Sequence, residues 1–268
     1  MGDLEPFAAV QMAFGKQALH YDEDDFSNQI LTDWRKKVYK HVKSFMTPQC
    51  HLLELNAGTG IDALHFVQEG HSVHATDISP GMVQKIQEKA DQSGAHDRFT
   101  SQICSFETLN QVTGKKFEYV FSNFGGLNCC QDLARVIKHL PSVLKAGAYV
   151  TWVIMPPLCP WEVSGILRGK QMALRRLHKA GVSAQLEGVY FQVYYYSLTD
   201  LKKCFGTNFK FVKAEGLGSL SPPPSSLTFT HNHPGIYSLL KNLDKLVTRT
   251  FPFNRWADHI IVTFQYKP

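Results

Sequence analysis

The residues able to do chemistry gather in one short stretch, Glu54-Leu55-Asn56-Ala57-Gly58-Thr59-Gly60, and at one acid downstream, Asp77. A glycine-rich turn lets backbone amides approach a ligand closely, and a helix that starts there adds the positive end of its dipole. The combination suits an electron-rich group. Asp77 ends the next strand-like run, residues 72–76, where a carboxylate can hold the two hydroxyls of a ribose by paired hydrogen bonds.

These residues need a particular scaffold. Residues 51–55 read as a buried strand and 61–66 as a helix, so the glycines lie at a strand-to-helix turn. After Asp77 and Ile78, Ser79 suits a helix N-cap and Pro80 the first helical position. The helix therefore starts beside the acid, and Met82 points from its first turn toward the same crevice. Short strands are predicted at 99–104, 117–121 and 148–155, with a helix over 133–144 that Pro141 bends and Gly147 ends. Strand and helix alternate from Leu52 to Met155, which gives an α/β fold with a doubly wound, mostly parallel sheet, helices on both faces and the ligand at the carboxyl ends of the strands.

Two segments flank this core. Residues 1–48 read as an N-terminal helical flap: Phe7, Val10 and Phe14 share a face, and Leu31, Trp34, Val38 and Val42 repeat at helical spacing. Between the two helices, residues 17–28 are either a plain connection or a lid carrying Tyr21. The remainder, 49–268, reads as a single Rossmann-like domain. It carries a basic helical insert at about 156–187 and a Pro-rich loop at about 216–235, and ends in a short helix at 198–205, a strand at 209–214, a helix at 236–247 and a last strand at 259–266.

Composition bounds the function. With 268 residues, 44% hydrophobic and 19% charged, the chain can bury a full core. The formal charge of +5 is a mild excess spread along the chain, so it does not mark a nucleic-acid binder. No apolar run reaches the length of a membrane span, since the strongest, 148–158, is short and contains Pro156 and Pro157. The first six residues lack a secretory signal pattern. Six cysteines without C-x-x-C spacing fit reduced thiols and a cytoplasmic location.

Two cofactors can use the glycine turn. Gly58-Thr59-Gly60-Ile61-Asp62-Ala63 reads as G-x-G-x-x-A with Asp77 as the ribose acid, which suits NAD and an oxidoreductase. The full stretch from Glu54 to Gly60 resembles the E/D-x-G-x-G-x-G loop of class I S-adenosylmethionine-dependent methyltransferases, and Asp77-Ile78-Ser79-Pro80-Gly81-Met82 is similar to that family's ribose-binding segment. The resemblance covers roughly 50–155 closely and the tail in pattern, including Ser122-Asn123-Phe124 at the fourth strand tip.

The resemblance implies S-adenosylmethionine as cofactor and a seven-stranded sheet with an antiparallel final strand. It implies Glu54 at the amino acid end of the cofactor, Asp77 on the ribose, and Asn123 by the methionine part, with Tyr21, Ala57, Gly58, Gly60, Ile78 and Met82 around it. Asn56 replaces the first glycine of the loop and is the non-glycine residue best able to take positive φ. The acid that the family often places after the third strand to receive the adenine amino group is absent and Ser105 stands near its position, so Ser105 and Phe106 are the expected adenine contacts. The Asp/Asn-Pro-Pro-Tyr/Phe signature of base-methylating enzymes is missing.

The implied reaction is in-line displacement of the sulfonium methyl by a small-molecule acceptor, with a protein acceptor as the alternative. Alignment in a dry site supplies most of the rate. His231 and His233 are the candidates for a base, because an ordinary imidazole titrates near neutral pH. No metal site is expected. Trp161, Tyr190, Tyr194 and Phe229 are expected walls of an acceptor pocket, and Arg168, Lys170, Arg175, Arg176 and Lys179 an attraction for anions. The oligomeric state is left open.

Overall fold

In the computed structural model, residues 7–112, 114, 116–164 and 171–268 are described. The N-terminal Met1 to Pro6, Arg168 and Lys170 lie outside them.

The apolar runs assemble one seven-stranded sheet in the order β3-β2-β1-β4-β5-β9-β8. Its strands are β1 (His51–Leu55), β2 (Ser72–Asp77), β3 (Phe99–Ile103), β4 (Phe117–Ser122), β5 (Leu144–Ile154), β8 (Phe209–Leu217) and β9 (His259–Tyr266). The pairs from β3 to β5 are parallel, and β9 runs antiparallel to both β5 and β8. Strand order reverses between β1 and β4, and such a switch point opens a crevice beyond the carboxyl ends of the strands.

Helices cover both faces, so the central strands are buried on two sides and read as unbroken apolar runs. Helices α3 (Gln29–Lys43), α4 (Ile61–Gln68) and α5 (Pro80–Ser93) contribute Trp34, Phe66 and Ile86 to one core. On the other face α6 (Ala134–Ile137), α7 (Leu140–Val143) and α9 (Leu198–Phe205) pack Val136, Leu140 and Leu201 around Trp152. The expected single helix at 133–144 is two short ones: Pro141 starts the second, and Gly147, at φ 79°, falls inside β5.

The flanking segments differ most from expectation. The N-terminal preface is three helices, α1 (Ala8–Gln17), α2 (Tyr21–Ser27) and α3, and the expected connection at 17–28 is largely α2. Four consecutive acids in its first turns favour a helix start, which a loop reading of a polar run overlooks. The insert at 156–187 is helical only in part, at α8 (Pro160–Val163) and a 3₁₀ stretch, Gln171–Leu177. Its end, β6 (Val182–Leu186), pairs with β7 (Val189–Val193) as a separate hairpin turning at Glu187 and Gly188, both at positive φ. The region 216–235 is also more regular than its prolines imply: β8 runs into it, and a 3₁₀ turn (Pro224–Ser226), α10 (Leu227–Asn232) and the start of α11 (Pro234–Val247) occupy over half of the rest. Prolines 224 and 234 sit at helix starts, where the missing N–H costs nothing.

Candidate functional site

At the carboxyl ends of the parallel strands lies a cavity of ≈ 220 Å³. Each strand tip supplies part of its wall: Asn56 and Gly58 after β1, Asp77 and Ile78 at β2, Ser105 and Phe106 after β3, Asn123 to Gly126 after β4, and Met155 after β5. The roof comes from elsewhere. Phe7, Val10 and Phe14 of the first helix and its lead-in, Tyr21 of α2, and Phe191 and Val193 of the β6–β7 hairpin close over it, with the Phe14 and Phe191 rings 6.0 Å apart.

The polar end of the cavity is built on Asp77. Its carboxylate accepts the backbone N–H of Gly58 at 2.9 Å and that of Ser79 at 2.9 Å, one on each oxygen. Each oxygen keeps a lone pair, so the group can still accept two hydroxyls. Burial nevertheless pushes its carboxyl up to about 6. Gly58 stands at φ 57° and a Cβ there would meet the Tyr21 ring at 3.9 Å, so the turn and the aromatic roof are in near contact. Asn56 holds φ 44°, as its replacement of a glycine requires; its side chain accepts the Ser122 hydroxyl at 2.7 Å and lies across Gly126.

Beside it is a small chamber of ≈ 30 Å³ lined by Tyr21, Arg35, Glu54, Asn56, Asp62 and Asn123 among others. Glu54 is 1% exposed, and its Oε2 is buried without a hydrogen-bond partner. Burial, reinforced by Asp62, holds its carboxyl well above the usual carboxylate range. An orphaned buried acceptor is costly in a finished fold. A cationic amino group arriving in this chamber would satisfy it and restore its charge.

The N-terminal helices are tied to this corner by charge. Arg35 bridges Asp25, at 2.5 Å, and Asp62, which also accepts Tyr39 Oη at 2.6 Å and Asn123 Nδ2 at 2.8 Å. Thr59 of the glycine turn donates to Asp22 of α2, and Lys89 of α5 binds Asp22 at 2.6 Å. The residues of α2 and α3 thus hold the loop from above.

Most residues expected at the site from the sequence meet here. Tyr21, Asn56, Gly58, Asp77, Ile78, Ser105, Phe106 and Asn123 line the main cavity, and Glu54 and Ala57 the chamber beside it. Gly60 lies below, as the N-cap of α4 at φ 81°, and Met82 is fully buried core.

His231 and His233 are not brought to the cavity: both are exposed, on α10 and at the start of α11. Trp161 and Phe229 pack on each other at 5.1 Å, and Tyr190 is 66% exposed; none of these, nor Tyr194, lines the cavity. Along β7, Phe191 and Val193 lie on the face opposite Tyr190, so it is the other face of this strand that meets the cavity. Arg175 and Arg176 are engaged by Glu162, and Arg176 also by Asp258, so neither stands ready for an anionic acceptor. Cys129 lines the cavity, but burial pushes its thiol up to about 12.

The sequence reading missed the roof and one further pair. Phe7, Val10 and Phe14 were visible as a shared apolar face with no stated partner. At the start of β9, His259 Nδ1 lies 2.7 Å from Asp258, whose ionisation burial opposes but Arg176 and His259 secure. The His259 Nε2 is 3.2 Å from where a Cβ on Gly125 would stand, directly behind the cavity wall.

This sheet order, with a glycine turn after β1, an acid at the tip of β2 and an antiparallel last strand, defines the class I methyltransferase fold. Residues 52–147 match the family described as the methyltransferase domain. No curated protein matches the chain in sequence. Among solved structures it is similar to the magnesium protoporphyrin IX methyltransferase of Synechocystis PCC 6803 with bound S-adenosylmethionine, at 14% identity and a TM-score of 0.59 over 100% of both chains. It is also similar to the 1,6-didemethyltoxoflavin-N1-methyltransferase of Burkholderia thailandensis, at 12% identity and 0.59 over 100% of this chain and 93% of that one. The geranyl diphosphate C-methyltransferase of Streptomyces coelicolor A3(2) gives 12% and 0.57 over 88% and 79%.

Proposed function

We propose that this enzyme methylates a small, largely apolar acceptor held between the cofactor and the Phe14–Phe191 roof. The observation that carries the reading is the continuity of one cavity from the Asp77 carboxylate to Met155, Phe191 and Val193. In this reading Asp77 accepts the ribose hydroxyls, Glu54 receives the amino group, Ser105 and Phe106 flank the adenine, and Asn56 and Asn123 border the methionine part. Similar structures are of enzymes named for small-molecule acceptors, which supports the class of acceptor without naming this one.

The bound cofactor brings an activated methyl and its own leaving group, so the protein has little covalent work to do. The described residues of the flap, 7–48, bring the aromatic side chains that exclude water, and the strand tips fix the acceptor in line with the methyl. Alignment of this kind can supply about 7–11 kcal/mol of the barrier. Among the described residues lining the cavity there is no His, Lys or Arg. The part expected of His231 and His233 falls to no imidazole in the cavity; His259, with Nδ1 held by Asp258 and Nε2 toward Gly125, stands behind the cavity wall and positions it. The six free cysteines are in keeping with the cytoplasm as its compartment.

Incubation with methyl-labelled S-adenosylmethionine and either a metabolite extract or a protein lysate tests the reading. Label is expected in the small-molecule fraction. Label confined to protein, or no thermal shift with S-adenosylhomocysteine, overturns it.

A further inference from the structure

Helix α11 is built inside out. The side chains it buries are Tyr237, Asp244 and, just past its end, Thr248. Tyr237 donates to Asp33 at 3.0 Å, and Asp244 accepts from the N–H groups of Leu220 and Ser221. Ile236, Leu239, Leu243 and Leu246 face outward instead, at 50, 60, 39 and 75% exposure. Their spacing of three, four and three residues puts them on one stripe. Beyond the helix, Phe251 and Trp256 add two more exposed rings at 69 and 41%, 6.2 Å apart. An exposed apolar stripe of this kind marks a docking site.

Charge identifies the occupant. From Thr230 to Ala257 the only acid is the buried Asp244, while Lys241, Lys245, Arg249 and Arg255 are all basic. Lys241 is paired with Asp33 and Arg249 with Glu215, and the cleft behind the stripe, where this helix meets α3 and β8, adds to the basic character with seven Lys and Arg side chains against three carboxylates. An anionic sheet with an apolar interior complements it: leucines and aromatics on one face with cations beside them is the pattern of a helix lying in a bilayer interface. We infer that α11 and the Phe251 to Trp256 turn seat the enzyme on the surface of an anionic lipid membrane, with the stripe among the acyl chains and Lys245 and Arg255 at the headgroups. No helix among the described residues is long and apolar enough to cross a membrane, and seating of this kind needs none. The inference stands independently of the acceptor.

Vesicle flotation of the full chain tests it, with phosphatidylcholine alone and with about 30% phosphatidylglycerol added. Binding is expected with the anionic vesicles, weakened by salt, and little with the neutral ones. Leu239→Asp with Leu246→Asp should reduce binding by about tenfold or more, and Lys245→Glu with Arg255→Glu should reduce it while leaving the apolar stripe intact. An unchanged melting temperature and S-adenosylhomocysteine affinity would show that these variants are folded. A wild-type chain that stays out of the anionic vesicle fraction at low salt overturns the inference. So does self-association that the leucine variants abolish, or a stripe that binds an acidic protein and no lipid.

Discussion

The backbone N–H of Gly58 is 2.9 Å from the carboxylate of Asp77, joining the turn after β1 to the tip of β2. The same carboxylate that we assign to the ribose therefore also shapes the loop on which the cofactor rests. Asp77→Ala removes both functions and should weaken binding of S-adenosylhomocysteine by about 1.5–3 kcal/mol. Calorimetry on a folded variant with unchanged affinity would remove Asp77 from the site.

The Asp77 carboxyl titrates at about 6, raised by burial from an ordinary 3.8. Hydroxyl donors favour the ionised form, so proton and cofactor compete for this group. Affinity should be full above pH ~6 and fall as pH drops through that value, by at most about tenfold per pH unit. The ligand-free fold has the opposite sign: its carboxyl binds the proton more tightly folded than unfolded, so ionisation between pH ~4 and ~6 lowers stability. Dissociation constants measured across this range should lose their inflection in Asp77→Asn.

Glu54 gives a way to separate the two ends of the cofactor. Its orphaned Oε2 awaits an ammonium, which S-adenosylmethionine carries and methylthioadenosine lacks. Glu54→Gln should weaken the first by about 1.5–3 kcal/mol and leave the second nearly unchanged. Equal losses for both ligands would place Glu54 in the loop's architecture alone.

Arg35 carries the stability of the flap. Truncation to Ala leaves Asp25 and Asp62 buried without their cation, which should cost about 3–5 kcal/mol in denaturant unfolding. A loss under 1 kcal/mol, on the scale of an exposed pair, would show that water reaches the cluster.

His259 has a kinetic signature of its own. Once the labelled small molecule is isolated, His259→Gln should lower kcat by about tenfold or more while cofactor affinity holds. An unchanged kcat in the folded variant would remove His259 from the reaction.

Much of this was legible from residue spacing. The glycine turn, Asp77 and the Ser79-Pro80 helix start are local features, set by neighbours in sequence, and the sheet and its cofactor end follow from them. The roof is set by contacts between distant segments. Nothing near Phe14 announces Phe191, and a strand's period of two cannot say which face will meet a helix more than 170 residues earlier. The histidines failed for a related reason: residue type nominated His231 and His233, whereas Asp258 beside His259 became meaningful only when antiparallel pairing brought the start of β9 level with Met155. Polar and proline-rich composition also disguised α2 and α10, whose helical state depends on packing.

Asn56 and Gly126 share one space. A Cβ added to Gly126 would come 2.4 Å from the Asn56 amide, so neither position can be read alone. With Asn56 in place, any side chain at 126 must push that amide off the Ser122 hydroxyl, whereas glycine at 56 would free the space. Gly126→Ala should therefore lower the melting temperature in this protein and be better tolerated after Asn56→Gly.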